Sequence, residues 1–168
     1  IINFFCHKSL ILNQSKTKFI VFHSSHSKII SPDKILIEST NEDAVKIAGS
    51  YLIERAQTIK YLGLIMDPHL KWEAHIKNIE TKISCAAGIL WKLKSQLPKS
   101  TKKTIYTALI ESHLNYLTPI WGSASDSTLK ALQVIQNRAL RNVYCLDRLD
   151  NRVQMYQQQV DRFLPIRA

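Results

Sequence analysis

Apolar residues in the first seventy positions come in short runs separated by polar turns. Alternation of apolar and polar residues over a few positions is typical of half-buried β-strands. Gly49 and Ser50 separate two of these runs and predict a hairpin corner. The predicted strands are 10–22 (interrupted at 13–15), 35–37, 45–48, 51–53 and 59–67. The first seventy residues are therefore predicted to form mostly antiparallel β-hairpins.

After Pro68 the spacing of apolar positions changes from two residues to about 3.6, the period of an α-helix. Three helices are predicted, at 72–97, 101–117 and 127–145. Pro98 ends the first helix, and Ser100 is expected to cap the second. The predicted buried faces are Ile76, Ile79, Ile83, Ala86, Ala87, Leu90 and Leu93 for the first helix, Ile105, Ala108, Leu109, Ser112 and Tyr116 for the second, and Leu129, Leu132, Ile135, Ala139 and Val143 for the third.

These elements predict an α+β fold. A small antiparallel β-hairpin region occupies 1–70, a three-helix bundle occupies 71–146, and the tail 147–168 is unassigned. Three amphipathic helices joined by short turns are typical of a compact bundle. Hydrophobic residues make up 45% of the chain and charged residues 21%, which is typical of a globular protein and excludes a disordered one.

Basic charge is concentrated in the second part of the chain. The formal net charge is +10, of which residues 1–70 carry +2 (8 basic and 6 acidic side chains) and residues 71–168 carry +8 (15 and 7). A basic helical region favours a polyanion such as nucleic acid as its partner. The alternative is a basic protein whose charge only keeps it in solution.

Three cysteines lie far apart, at Cys6, Cys85 and Cys145. An odd number at wide spacing argues against a disulfide framework and for a reducing compartment, so we expect an intracellular protein of the nucleus or cytoplasm. No apolar run approaches the about 18 residues that a membrane span needs, and no membrane partner is predicted. The chain starts at Ile1, in the middle of a pattern, and we expect it to be a piece of a longer protein.

Five segments in this order resemble one known family. They are LNQSKTKFIVF (12–22), IKYLGLIMDPHLKWEAHI (59–76), ILWKLKSQLP (89–98), LIESHLNYLTPIWG (109–122) and LKALQVIQNRALRNV (129–143). The resemblance is to the reverse transcriptase (RNA-directed DNA polymerase) of a non-LTR, jockey-like retrotransposon, in its C-terminal palm and thumb part. It implies that 1–70 is the C-terminal end of a polymerase palm and that 71–146 is a three-helix thumb.

Lys16 is the candidate catalytic residue, because it matches the lysine of the family's L-N-x-x-K-T pattern. The resemblance places that lysine near the phosphates of the incoming nucleotide, where an ammonium can act as a general acid toward the leaving pyrophosphate. Asn13 and Thr17 are expected to hold the loop through local hydrogen bonds. The alternative is a polar turn with a solvated lysine.

Tyr61 and Gly63 resemble the hairpin that grips the 3′ end of the primer. Gly63 allows a close backbone approach or a sharp bend, and Tyr61 could pack on a sugar. The alternative is a core hairpin with a buried tyrosine.

Three tryptophans are predicted to be core aromatics, namely Trp72 with His75 beside it, Trp91 and Trp121. If exposed, such rings could instead stack on bases.

Cationic side chains gather at two places in the helical region. Lys92, Lys94, Lys99, Lys102 and Lys103 surround the first helix–helix turn, and Arg138 and Arg141 lie three residues apart on the third helix. Such groups bind phosphates without reading sequence, although a charged turn is often only solvated. Contacts to about four phosphates predict a log–log salt slope of roughly −3 to −4.

Polymerases of this family hold two Mg²⁺ ions with aspartates that include an aromatic-Ala-Asp-Asp stretch. This chain contains no Asp-Asp pair; Asp33, Asp43 and Asp67 stand isolated. We therefore expect no metal or other cofactor in this chain, with Mg²⁺ only in the complete parent enzyme. His23 and His26 form H-x-x-H, but no second pair follows at zinc-finger spacing.

The sequence thus predicts a fragment of a retrotransposon RNA-directed DNA polymerase that holds the template–primer duplex, lacks the catalytic aspartates and is inactive alone. Its expected partners are RNA–DNA or DNA duplex, bound through non-specific phosphate contacts, and the upstream fingers and palm of the parent polymerase. The alternative is a decayed or repurposed basic helical interaction module with no polymerase role. Intact upstream coding sequence for the carboxylates would favour the first, and stop codons there the second.

Overall fold

The structure is a computed structural model that describes residue 13 and residues 15–27, 31–37 and 51–146. The chain divides into two compact units between Leu70 and Lys71. In the described residues the first unit contains short strands and the second contains helices, which confirms the α+β fold class. The predicted run at 45–48 and the tail at 147–168 lie outside the described residues.

The first unit contains a three-stranded sheet. Its strands are β1 (Lys18–Phe19), β2 (Lys34–Ile37) and β3 (Tyr51–Arg55), in the order β1-β3-β2. β2 and β3 pair antiparallel, but β1 lies parallel to β3, which differs from the predicted hairpin arrangement. β2 lies between β1 and β3 in the sequence, so no tight turn forces these two strands to be antiparallel.

A separate two-stranded hairpin confirms the strand pair predicted at 59–67. β4 (Ile59–Tyr61) and β5 (Leu64–Met66) pair antiparallel, with Tyr61 opposite Leu64. The two residues between the strands both have positive φ, 46° at Leu62 and 85° at Gly63. Positive φ at both positions is the requirement of a type I′ turn, whose twist matches that of the strands. Gly63 meets this requirement without strain, whereas Leu62 does not.

The second unit is helical. Its elements are α1 (Glu73–Lys92), α2 (Lys99–Tyr106), a π-helical segment (Thr107–Glu111), α3 (Ser112–Asn115), α4 (Thr118–Trp121) and α5 (Asp126–Tyr144). The three predicted helices are therefore present, the second as the run from α2 to α3. None of the helices in the described part of the chain is long and apolar enough to cross a membrane.

The end of the first helix and the start of the second differ from the prediction. α1 ends at Lys92, five residues early, because Leu93 leaves the α-helical conformation and the chain turns before Pro98. α2 begins at Lys99, so Ser100 lies inside the helix instead of capping it. Pro98 precedes this helix in an extended conformation, and its carbonyl accepts a hydrogen bond from Lys102 N at 3.1 Å.

The buried faces of α1 and α5 match the prediction, with all five predicted residues of α5 buried and only Leu93 of the α1 set partly exposed. The predicted face of the second helix was wrong. Its buried residues are Lys102, Tyr106, Ile110 and Leu114, which recur every four positions, while Ala108, Leu109, Ser112 and Tyr116 are exposed. The π-helical segment lengthens the turn between α2 and α3, and this shifts the inward face away from the ideal 3.6-residue period.

The core of the helical unit lies between α1 and α5, which pack along each other, with α2 against both. Its largest fully buried side chains are Ile83, Leu90, Tyr106, Ile110, Trp121, Leu132, Leu140 and Val143. Burying such side chains contributes about 1.5–3 kcal/mol each and holds α1 and α5 in register. The outer surfaces of these two helices are thereby fixed relative to each other.

Candidate nucleic-acid interface

Asn13 organises the turn that carries Lys16. The Asn13 carbonyl accepts hydrogen bonds from Lys16 N (3.2 Å), Thr17 N (3.0 Å) and Thr17 Oγ1 (2.8 Å). Its Oδ1 atom accepts from Ser15 Oγ (2.8 Å) and again from Lys16 N (3.2 Å). The local hydrogen bonds predicted for Asn13 and Thr17 are therefore present.

The Lys16 side chain is exposed on this turn. A hollow of about 530 Å³ lies next to the turn, lined by Asn13, Ser15, Thr17, Lys18, Leu52 and Glu54. The geometry leaves the Lys16 ammonium accessible to an anion from solvent.

Tyr61 and Gly63 form the tip of the β4–β5 hairpin. The Tyr61 side chain is 59% exposed, and Leu62 beside it is also exposed. Tyr61 is therefore not the buried tyrosine of the alternative interpretation. The hairpin presents an aromatic ring and a glycine backbone at its tip, both accessible to a large ligand.

Four of the predicted phosphate-binding lysines have exposed side chains at the connection between α1 and α2: Lys92, Lys94, Lys99 and Lys103. The Lys99 ammonium lies 4.6 Å from the centroid of the Tyr144 ring, at the end of α5. Burial, and after it the Glu111 carboxylate, raises the pKa of Tyr144, so the ring beneath Lys99 stays neutral. This cation–π contact holds the connection against the end of α5.

Lys102 does not share this exposure. Its side chain is 2% exposed, and its ammonium donates hydrogen bonds to the Lys94 carbonyl (3.1 Å) and to Cys145 Sγ (3.2 Å). The positive charge of Lys102 also lies near the C-terminal ends of α1 and α5, where it interacts favourably with the negative ends of the two helix dipoles. Lys102 therefore holds the connection together, and its buried ammonium is not exposed to bind phosphate.

Arg138 and Arg141 line a groove between α1 and α5. This Trp91 groove, of about 710 Å³, is lined by Ser84, Ala87, Gly88, Trp91, Val134, Arg138, Arg141, Asn142 and Leu146. Ser84, Gly88 and Trp91 follow the spacing i, i+4, i+7 on α1, and Val134, Arg138 and Arg141 follow the same spacing on α5. Residues at that spacing share one face of a helix, so two stripes border the groove. The small side chains on α1 leave the space open.

Two polar atoms of groove-lining residues are buried without a partner. Arg141 Nε and Asn142 Nδ2 have no hydrogen-bond acceptor in the part of the chain that the structure describes. Both atoms are shielded from solvent, so their unfavourable burial is a cost within the packed side chains. The groove offers a ligand the remaining donors of the Arg138 and Arg141 guanidinium groups.

The tryptophans divide into two kinds. Trp72 and Trp121 are buried, as predicted, and Trp121 Nε1 donates to the Tyr116 carbonyl at 2.8 Å. The core prediction for Trp91 was wrong, because its ring is 57% exposed at the rim of the Trp91 groove. The Lys94 ammonium lies 6.0 Å from its ring centroid.

His75 lies between the two buried tryptophans. Its ring centroid is 6.5 Å from that of Trp72 and 6.1 Å from that of Trp121, both in edge-to-face geometry. Burial, and after it the charge of Lys82, lowers the pKa of His75 below 6.5, so the ring is neutral near pH 7. His75 is therefore a core residue of the helical unit.

Among the described residues, no group of three or more His, Cys, Asp or Glu side chains could hold a metal ion. Asp33 and Asp67 are described, and Asp43 lies outside the described residues. His23 and His69 stack edge to face at 4.5 Å, and each Nδ1 lies about 3 Å from a backbone carbonyl oxygen, of Ser24 and His23 respectively. The described residues do not match the carboxylate set that a pair of Mg²⁺ ions requires.

The structure thus separates the predicted site residues into groups. Lys16, Tyr61 and Gly63 lie in the first unit, and the seven other candidates lie in the second. Ser84, Gly88, Val134 and Asn142 were not singled out from the sequence. For the first three the available signal was the matching i, i+4, i+7 spacing on two helices, whereas Asn142 lies outside that spacing.

Sequence similarity points to one class of protein. The chain is similar to RNA-directed DNA polymerases of transposons, over 53–59% of its length. This confirms the resemblance to reverse transcriptases of non-LTR retrotransposons.

The relatives come from fruit flies. The probable RNA-directed DNA polymerase from transposon X-element of Drosophila melanogaster is 35% identical over 92 residues, which cover 53% of this chain and 10% of that protein. The polymerase from mobile element jockey of the same species is 31% identical over 98 residues (55% and 10%), and that from transposon BS is 31% identical over 104 residues (59% and 11%). The matched region spans about a tenth of the length of these relatives. No protein-family model and no solved structure matches the chain.

Proposed function

We propose that this chain is the palm-end and thumb part of a retrotransposon RNA-directed DNA polymerase, and that it holds the template–primer duplex without performing the chemistry. The observation that carries the proposal is the set of exposed lysines at the α1–α2 connection, on the basic unit of a chain that is similar in sequence to such polymerases. Alone, the chain binds duplex and polymerises nothing.

Lys92, Lys94, Lys99 and Lys103 make the phosphate contacts in this proposal. Lysine ammonium groups neutralise phosphates and release counterions, which gives affinity without sequence readout. The contact of Lys99 with Tyr144 and the burial of Lys102 support it, because both restrict the backbone that carries these side chains.

In the first unit, Tyr61 and Gly63 contact the 3′ end of the primer, and Lys16 lies near the phosphates of the incoming nucleotide. The exposure of Tyr61 and Lys16 supports these roles. The Asn13 turn supports the second role, because its hydrogen bonds fix the backbone at Lys16. Lys16 would then donate a proton to, or neutralise, the leaving pyrophosphate when the parent enzyme supplies the metal-bound nucleotide.

The test is duplex binding by the full chain as a function of salt. Fluorescence anisotropy with a labelled blunt RNA–DNA duplex should give a log–log slope of roughly −3 to −4, as about four phosphate contacts require. Lys99→Gln and Lys103→Gln should each reduce the slope by about 1.

Lys77→Gln is the matched control. Lys77 is an exposed lysine of the same helix as Lys92 that pairs with Glu80 at 3.1 Å. It lies about 20 Å from Lys92 along the axis, at 1.5 Å per residue. Duplex affinity without salt dependence, or a slope that changes equally in the control, would contradict the proposal and favour a protein partner for this surface.

A further inference from the structure

We propose that the Trp91 groove binds a single-stranded segment of nucleic acid, with one base stacked on the Trp91 indole and the adjoining phosphate bound by Arg138 and Arg141. This inference rests on the proposed function, which supplies nucleic acid as the class of ligand. It adds a second binding site, which accepts a single strand without its complementary strand.

The exposed indole is the first argument. The inward stripe of α1 explains the burial of three of its isoleucines and of Leu90, but Trp91 falls off that stripe and remains 57% exposed. Val134, across the groove, is also exposed. Bases stack on exposed aromatic rings whatever their identity, because every base has a π-face.

Two guanidinium groups are the second argument. Arg138 and Arg141 line the same groove three residues apart on α5, and the Arg138 side chain is exposed. A guanidinium has a planar fork of donors that matches phosphate oxygens. The groove therefore favours a ligand that carries an anionic oxygen.

The third argument is the shape of the groove. Ser84, Ala87 and Gly88 leave a hollow of about 710 Å³, within the range of ligand pockets. A Cβ added at Gly88 would meet no atom within 4 Å, so the hollow is open at this position. A hollow of this volume can hold a base and its phosphate. The faces of bases are available only where a strand is unpaired or unstacked.

The fluorescence of Trp91 can be used to measure binding at the groove. The chain has three tryptophans, and Trp72 and Trp121 are buried, so quenching from solvent reports on Trp91. The full chain is titrated at constant salt with an oligothymidylate strand, with a blunt DNA duplex and with polyglutamate. We expect saturable quenching of the indole emission by the single strand alone.

Variants identify the contact. Trp91→Leu should abolish the quenching and weaken single-strand binding about ten-fold, as the loss of one stacked base predicts. Trp91→Phe keeps an aromatic ring and should retain most of the affinity. Arg138→Gln should lower the magnitude of the single-strand salt slope by about 0.7. Gly88→Gln, which places a side chain in open space, should block the strand while leaving the helical circular dichroism intact.

The outcomes separate this inference from the proposed function. Salt-dependent duplex binding with no response of Trp91 to the single strand overturns only the present proposal. Unchanged single-strand affinity in Trp91→Leu overturns it as well. Quenching by polyglutamate but not by the strand overturns it in favour of an acidic protein partner. Loss of all nucleic-acid binding overturns both.

Discussion

Two glycines of the helical unit should respond oppositely to the same substitution. Gly88 lies within α1, and a Cβ built there meets nothing within 4 Å. Alanine at this position loses less backbone entropy on folding than glycine, so Gly88→Ala should raise the free energy of unfolding by about 0.5–1 kcal/mol. No steric contact of the new methyl group opposes this gain in stability.

Gly122 follows α4 and has no such space. A Cβ there would lie 2.6 Å from the Thr118 carbonyl oxygen, the same atom that accepts the Gly122 N–H at 2.7 Å. The contact is with backbone, which can move only by distorting α4. Gly122→Ala should therefore lower the free energy of unfolding by about 1–3 kcal/mol, the usual effect of overpacking.

Urea unfolding followed by the helical circular dichroism signal measures both changes in the full chain. The two variants should differ by roughly 1.5–4 kcal/mol, the sum of the two effects. Equal slopes against urea would show that the unfolded states are comparable. If both substitutions shifted the midpoint in the same direction, the local geometry described for α1 and α4 would be incorrect.

Three further substitutions test other features of the structure. Burial, and after it Lys82, lowers the pKa of His75 in the folded protein, so on acidification the unfolded chain binds a proton at this residue before the folded chain does. The free energy of unfolding should therefore fall as the pH decreases below 6.5. Between about pH 7 and pH 5, the His75→Gln variant should lose less stability than the parent chain. Leu62→Asn places a residue tolerant of positive φ in the type I′ turn and should stabilise the hairpin by about 1 kcal/mol in thermal unfolding; a loss would contradict the turn geometry. Tyr106→Phe removes the hydroxyl that accepts from Gln136 Nε2 at 3.3 Å inside the core and should cost about 1 kcal/mol in urea unfolding, whereas no change would show that the bond is negligible.

The sequence predicted those parts of the fold that depend on local spacing. The inward stripes of α1 and α5 follow from a regular period, and the turn at Gly63 follows from local backbone preference. The buried face of the second helix could not be found this way, because the π-helical segment breaks the period without a signal in residue type.

The candidate site was predictable in composition but not in arrangement. The basic residues around the α1–α2 connection were visible in the sequence, yet the burial of Lys102 depends on Cys145, which lies 43 positions away. The exposure of Trp91 likewise depends on how α1 packs against α5, and an exposed tryptophan is uncommon enough that sequence alone favours burial. The parallel pairing of β1 with β3 is a third case, since it joins segments distant in the chain.

The buried ammonium of Lys102 has a consequence for association. By joining the Lys94 carbonyl to Cys145, it clamps the α1–α2 connection to the C-terminal end of α5. Lysines on a flexible loop lose conformational entropy when they bind an anion. Lysines on a restrained backbone have already lost part of that entropy during folding, so binding costs them less. A polyanion reaching this surface would therefore meet pre-organised charges and be released more slowly than the number of lysines alone suggests.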